Sequence, residues 1–212
     1  MTITIKNKSD IEKMRIAGKL ASEVLDFITP YVKPEATTGE IDSLCHEFMV
    51  NVQKTIPAPL NYAPPGHTPY PKSLCTSVNN QICHGIPGSK ILKKGDIVNI
   101  DVTVIKDGYH GDTSRMFYIG DPSIQAKRLC EITYHSMWLG ILQVKPGNYL
   151  GDIGFAIQTY AEKQGFSVVR EFCGHGIGKV FHEDPQILHY GTAGEGLELK
   201  EGMIFTIEPM IN

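Results

Sequence analysis

Asp96-Ile97-Val98-Asn99-Ile100-Asp101-Val102-Thr103-Val104-Ile105-Lys106-Asp107-Gly108-Tyr109-His110-Gly111-Asp112-Thr113 is the stretch whose reading decides the fold. Val98, Ile100, Val102 and Val104 recur with the period of a strand. Asp107-Gly108 is a strong hairpin signal, because both loop positions want positive φ. With those two residues as the loop, Lys106 opposes Tyr109, Thr103 opposes Asp112 and Asp101 opposes Ser114. Residues 101 and 103 share a face, as do cross-strand partners. Asp101 and Asp112 therefore project from one side as diagonal neighbours, roughly 7–8 Å apart. The valines and isoleucines of the other face pack inward. Taken alone, such a pair is the solvated face of a half-buried hairpin, and it is the rest of the chain that argues for chemistry.

The 212 residues are enough for one sizeable domain with a real core. Net charge is −3, and no basic run or aromatic–basic interleaving marks a nucleic-acid partner. The five cysteines (45, 75, 83, 130 and 173) are odd in number and form no CxxC pair. That argues against a disulfide framework or structural zinc and fits a reducing cytosol. No apolar signal region opens the chain and no run is long enough to span a bilayer, so the expectation is a cytoplasmic protein without membrane contact.

Ser9-Asp10-Ile11-Glu12 has the pattern of a capping box, opening a helix that runs to Pro30. A second helix starts at Thr37-Thr38-Gly39-Glu40 and buries Ile41, Leu44, Cys45, Phe48 and Val52. Residues 56–71 hold six prolines and a glycine and read as an irregular loop. A strand is expected around Leu74–Val78, then the turn Cys83–Gly88 and the hairpin. Helices follow from about Pro122 to Val144 and from Leu150 to Gln164, the latter capped by Gly165. Strands around Phe166–Glu171 and Met203–Glu208 close the chain.

The chain also repeats itself. Val32-Lys33-Pro34 and Gly39-Glu40-Ile41 recur as Val144-Lys145-Pro146 and Gly151-Asp152-Ile153, at an offset of 112. His84-Gly85-Ile86 recurs as His175-Gly176-Ile177. Leu92–Asp101 recurs as Leu199–Glu208, at an offset of 107. The matches keep their order, which marks two related halves and sets Glu208 where Asp101 stands.

Asp101, Asp112, His175 and Glu208 make an oxygen-rich set with one imidazole, suited to Mn²⁺, Fe²⁺, Co²⁺ or Zn²⁺. Carboxylates around two such ions, about 3.5–4 Å apart, are an arrangement for hydrolysing amides and phosphates. The glycines flanking His175 would let the backbone approach a ligand closely. The run matches neither GxGxxG nor GxxxxGK[ST], and Phe181-His182-Glu183-Asp184-Pro185 contains no HExxH. A lone histidine is more often structural, but His84 and His182 stand at turns beside the expected centre, where an imidazole can bond a substrate amide or an oxyanion. His46 and His135 read as structural; His67, His110 and His189 carry no motif. Tyr62, Tyr70, Cys75 and Phe181 are either ordinary core or the lining of an apolar side-chain pocket.

Pro71-Lys72-Ser73, Cys83–Pro87, Asn99–Thr103, His110–Ser114, Cys173–Gly178, Phe181-His182-Glu183 and Phe205–Met210 together resemble the type I methionine aminopeptidases of bacteria, over essentially the whole chain. The resemblance implies the pita-bread fold, an α/β (α+β) architecture of two pseudo-symmetric halves with helices on a curved antiparallel sheet. It implies a metalloexopeptidase that uses a metal-activated water, with two divalent ions (Co, Mn, Fe or Zn), to remove the initiator methionine from nascent chains whose second residue is small. It also implies that Asp101, Asp112, His175 and Glu208 are metal ligands, with Glu208 moving the proton of the attacking water. His84 and His182 would contact the substrate, while Tyr62, Tyr70, Cys75 and Phe181 would shape the methionine pocket. The implied partners are the nascent N-terminus and the ribosome beside it, for a monomeric enzyme when intact. The loop Ala63–Pro69 is longer than the family's. The family also places a second glutamate beyond the position of Asn212. Residues 1–212 are therefore expected to be one pita-bread domain incomplete at its C-terminus, with weak metal binding and little turnover of its own. The competing class is a non-catalytic relative that keeps the fold as a binding protein. A third reading is an X-Pro peptidase, whose kind carries an extra N-terminal domain.

Overall fold

The computed structural model describes residues 3–212. In order, these form α1 (Lys8–Ile28), α2 (Thr38–Glu47), β1 (Ile56–Pro57), β2 (Cys75–Val78), β3 (Ile97–Lys106), β4 (Tyr109–Tyr118), α3 (Ile124–Ile141), α4 (Leu150–Lys163), β5 (Gly174–Gly176) and β6 (Glu183–Ile187). They fall into two compact units. One is Glu12–Ser123, and the other combines the N-terminal residues through Ile11 with Ile124–Asn212.

In the first unit β3 is central, with β4 on one edge and β2 and β1 along the other, all antiparallel. The register is the one the hairpin dictates: Lys106 opposes Tyr109, Thr103 opposes Asp112 and Asp101 opposes Ser114. Asp107 and Gly108 both take positive φ, 50° and 79°. Val98, Ile100, Val102 and Val104 are fully buried against Ala21, Val24, Leu25 and Ile28 of α1 and Ile41 and Cys45 of α2. At roughly 1.5–3 kcal/mol for each large apolar side chain removed from water, this face is what fixes the hairpin in place.

The second unit packs α4 through Ile153, Ile157 and Ala161 against Ile187, Leu199 and Ile211. Its helices α3 and α4 come close at Gly140, where a Cβ would stand 2.7 Å from Ile157 Cδ1.

The duplication is visible bond for bond. Glu35 N–H donates to Leu92 O, and Gly147 N–H to Leu199 O; Leu92 N–H returns to Ala36 O, and Leu199 N–H to Asn148 O. Thr38 to Lys90 and Gly39 to Gly88 recur as Leu150 to Leu197 and Gly151 to Glu195. The shared Gly-acid-Ile signature has a reason at each position. A Cβ on Gly39 or Gly151 would strike the carbonyl of Gly88 or Thr192, at 2.9 and 2.2 Å. Glu40 and Asp152 each accept the N–H of the helix-capping residue, Thr37 or Tyr149, at 2.7 Å. Ile41 and Ile153 are fully buried.

Four expectations need correction. The capping box of α1 sits two residues earlier than Ser9: Asn7 Oδ1 accepts the Asp10 N–H and Asp10 returns the bond to Asn7 N–H, both at 3.0 Å. Val52 is not buried but 66% exposed. Residues Phe48–Val52 form a wider π turn, which rotates the stripe so that Met49 enters the core instead. The closing segments are extended but are not regular strands. Val168 bridges Ile211 and Phe205 bridges Gly176 at single points. The ladder in this part is β5–β6, which the sequence did not announce, and its register shifts between His175 and Gly176. The proline loop, read as wholly irregular, begins with the two-residue strand β1, paired to Ile105 and Val104.

Candidate metal centre

Each unit presents a pair of candidate ligands. In the first, Asp101 and Asp112 leave the same face of the hairpin as diagonal neighbours. Cys75 of β2 stands directly across from Asp101. Burial, with the Asp101 carboxylate second, pushes the Cys75 thiol up to about 12. Tyr70 donates from its hydroxyl to Gly85 O at 3.0 Å and Leu74 O at 3.2 Å. Its phenol is raised by burial first, then by Cys75, Asp42 and Asp101. Burial also raises the Tyr62 phenol.

Tyr62 and Tyr70 form the neck of the long loop. Asn61 N–H donates to Tyr70 O and Tyr70 N–H to Tyr62 O, at 2.8 and 2.9 Å. Residues 63–69, between the two tyrosines, are exposed. His84 takes a left-handed φ of 52°, uncommon for a residue other than glycine, and is followed by Gly85, which is tied to β2. Thr76 N–H donates to Gly85 O, and a Cβ at Gly85 would lie 2.0 Å from Thr76 O. Burial lowers the His84 pKa, opposed by the carboxylate of Asp112.

In the second unit, His175 Nε2 and Glu208 Oε1 are 3.6 Å apart. His175 Nδ1 lies 2.9 Å from Gly176 O, an acceptor only, so Nδ1 carries the proton and Nε2 keeps its lone pair. That is the tautomer a metal-ligating histidine needs. Two donors each about 2.1 Å from a shared ion stand roughly 3–3.5 Å apart, so this pair fits a divalent cation. Phe181 and His182 stack at 4.1 Å, and the His182 ring lies 4.3 Å from that of His175. Among the described residues, no three or more His, Cys, Asp and Glu side chains form a closed cage of their own. What the fold offers is these two pairs, both of hard oxygen and imidazole donors of the kind divalent first-row ions prefer.

The glycines around His175 serve a different purpose from the one expected. A Cβ on Gly174 would stand 2.4 Å from Thr206 O, and on Gly176 2.2 Å from Asp184 O. They admit neighbouring backbone rather than a ligand.

Three residues near this pair escaped the sequence reading. Thr206 lies inside a quoted motif and bonds to both His175 and Glu208. His189, 1% exposed, accepts the Glu208 N–H on Nε2 at 3.1 Å; burial lowers its pKa to about 4. Lys6, also buried, pairs with Glu183 next to His182, while its N–H holds Gly202 O at 2.8 Å. The repeat could have pointed to Thr206, which stands where Asn99 stands; nothing in the sequence singles out Lys6.

Residues 12–212 match the model of metallopeptidase family M24. The chain is 60% identical over 212 residues to a methionine aminopeptidase of Rickettsia prowazekii (strain Madrid E), covering all of this chain and 80% of that protein. It is 58% identical over 213 residues to a methionine aminopeptidase of Escherichia coli (strain K12), covering 79% of it. The crystal structure of methionine aminopeptidase from Rickettsia prowazekii superposes with a TM-score of 0.95, at 60% identity, over all of this chain and 83% of that one. The mixed helical and antiparallel pita-bread architecture expected from the sequence is thereby borne out.

Proposed function

The chain belongs to metallopeptidase family M24, and from that premise we propose that it is a metal-dependent aminopeptidase that removes the N-terminal methionine of nascent proteins in the cytoplasm. No helix among the described residues is long and apolar enough to cross a membrane. The single observation that carries the reading is the His175–Glu208 pair, with the imidazole held in its ligating tautomer and the carboxylate 3.6 Å from it.

Asp101 and Asp112 in one unit, and His175 through Nε2 and Glu208 in the other, are the ligands for divalent ions. Once bound there, such ions supply an acidified water and polarise the carbonyl that is attacked. Glu208 takes the proton of the attacking water and passes it to the departing amine. His84 and His182 donate to the scissile amide and to the oxyanion as it forms. Tyr62, Tyr70, Cys75 and Phe181 receive the methionine side chain, with the Tyr70 hydroxyl already committed to backbone acceptors.

The test is release of methionine from a Met-Ala-Ser peptide by the purified chain with Mn²⁺, Co²⁺, Fe²⁺ or Zn²⁺, beside an X-Pro peptide. Metal-dependent methionine release supports the reading. Cleavage of the X-Pro substrate in place of the Met-Ala-Ser peptide overturns it.

A further inference from the structure

Thr206 is bonded to both members of the His175–Glu208 pair. Its Oγ1 accepts the His175 N–H at 2.9 Å, and its hydroxyl proton goes to Glu208 Oε1 at 2.6 Å. Its own N–H donates to His175 O at 2.9 Å, so backbone and side chain grip the same residue. A length of 2.6 Å lies in the range of charge-assisted O–H···O⁻ bonds. Two residues on, His189 holds the Glu208 N–H, which fixes the backbone end of that side chain. The duplicated position in the other unit is also polar. Asn99, two residues before Asp101, donates to Ser114, the cross-strand partner of Asp101.

We propose that Thr206 is a positioning residue for the metal-dependent reaction: its hydroxyl holds the Glu208 carboxylate at the separation from His175 Nε2 at which both can grip one ion. The proposal rests on the assignment of His175 and Glu208 as ligands made above. Thr206 does not itself bind the ion. It removes the rotational freedom of the glutamate, and it ties the backbone of one ligand to the side chain of the other. Partners that orient a ligand in this way affect affinity for the ion almost as strongly as the ligands do.

The experiment is Mn²⁺ titration by calorimetry on the wild type, Thr206→Val, Thr206→Ser and Thr206→Ala, with far-UV melting of each. Valine keeps the shape and loses the hydroxyl, so Mn²⁺ affinity is expected to fall about 10–100-fold, with serine within about threefold of wild type. Methionine release is expected to fall in kcat more than it changes in KM. If valine does not give a cooperative melt, the alanine–serine comparison reads the same contrast. Valine binding Mn²⁺ as wild type does, or serine faring no better than valine, overturns the proposal alone. A wild type that takes up no Mn²⁺ overturns the ligand assignment and this inference with it.

Discussion

Replacing Gly176 by alanine tests how tightly the backbone around His175 is packed. The added Cβ would lie 2.2 Å from Asp184 O, 2.7 Å from Asp184 C and 2.8 Å from Glu183 O. All three are backbone atoms, so no side chain can swing aside. Ordinary contact begins near 3.4 Å, and β6 must retreat by roughly 1 Å in a close-packed interior. Overpacking of this kind costs about 1–3 kcal/mol, or a fall in melting temperature of roughly 2–12 °C for a chain this size. Glu183 opens β6 and His182 immediately precedes it, so the same displacement carries them away from His175. A misplacement of about 1 Å is enough for a loss near 10²-fold in turnover. The assay is a circular-dichroism melt beside methionine release. Gly18→Ala is the opposite case, because it lies inside α1 with nothing within 4 Å of its Cβ. There alanine should stabilise by about 0.5–1 kcal/mol. A Gly176→Ala protein that melts and turns over like the wild type would refute the argument that these glycines exist for backbone packing.

Asp101→Asn and His175→Ala each remove a proposed ligand, so both turnover and Mn²⁺ uptake should collapse together; normal metal content in either variant would remove that residue from the set. His182→Ala should lower turnover by about 10²–10³-fold, as for a lost oxyanion donor, at nearly unchanged metal occupancy; metal loss in step with activity would make His182 a ligand. Burial, reinforced by Asp42, pushes the Cys45 thiol from 9.0 up to about 12. The unfolded chain therefore releases that proton near pH 9 while the folded chain keeps it, and the stabilisation, whole below pH 9, is lost as pH climbs from 9 toward 12. Cys45→Ala should flatten that alkaline decline, measured by urea unfolding across the window, and an unchanged slope would show that the thiol is not the source.

The hairpin was legible because its information is local. Alternation, a two-residue turn and the requirement that apolar residues face inward leave one register, and Thr103 opposite Asp112 follows from it. The paired helices were legible for a similar reason, since caps and glycines sit within four residues of what they cap. What escaped lies where partners are distant in sequence. β5 and β6 are three and five residues long, and their pairing depends on glycines that admit Asp184 and Thr206. Lys6 meets Glu183 across most of the chain. Val52 was misplaced because a π turn changes the helical period in the last turn, a backbone event with no residue signature of its own.

The two halves also show what duplication preserves. The backbone frame recurs with the same donors and acceptors, whereas the side chains mounted on it have diverged. Thr37 caps α2 through its hydroxyl, accepting the Glu40 N–H at 3.1 Å; at the equivalent Tyr149 the cap that remains is the acid three residues later. The change from Asp101 to Glu208 follows the same logic. A frame that fixes the Cα fixes an aspartate nearly completely, but a glutamate has one more rotor and loses more freedom when ordered. The longer carboxylate therefore needs a hydrogen bond of its own. Thr206 supplies it at 2.6 Å, while Asn99 bonds Ser114. Divergence at positions 99 and 206 is thus coupled to divergence at 101 and 208, and shortening the acid should relax the need for the hydroxyl. In the Glu208→Asp background, Thr206→Val should weaken Mn²⁺ binding by less than it does alone, a coupling that a double-mutant cycle measures directly.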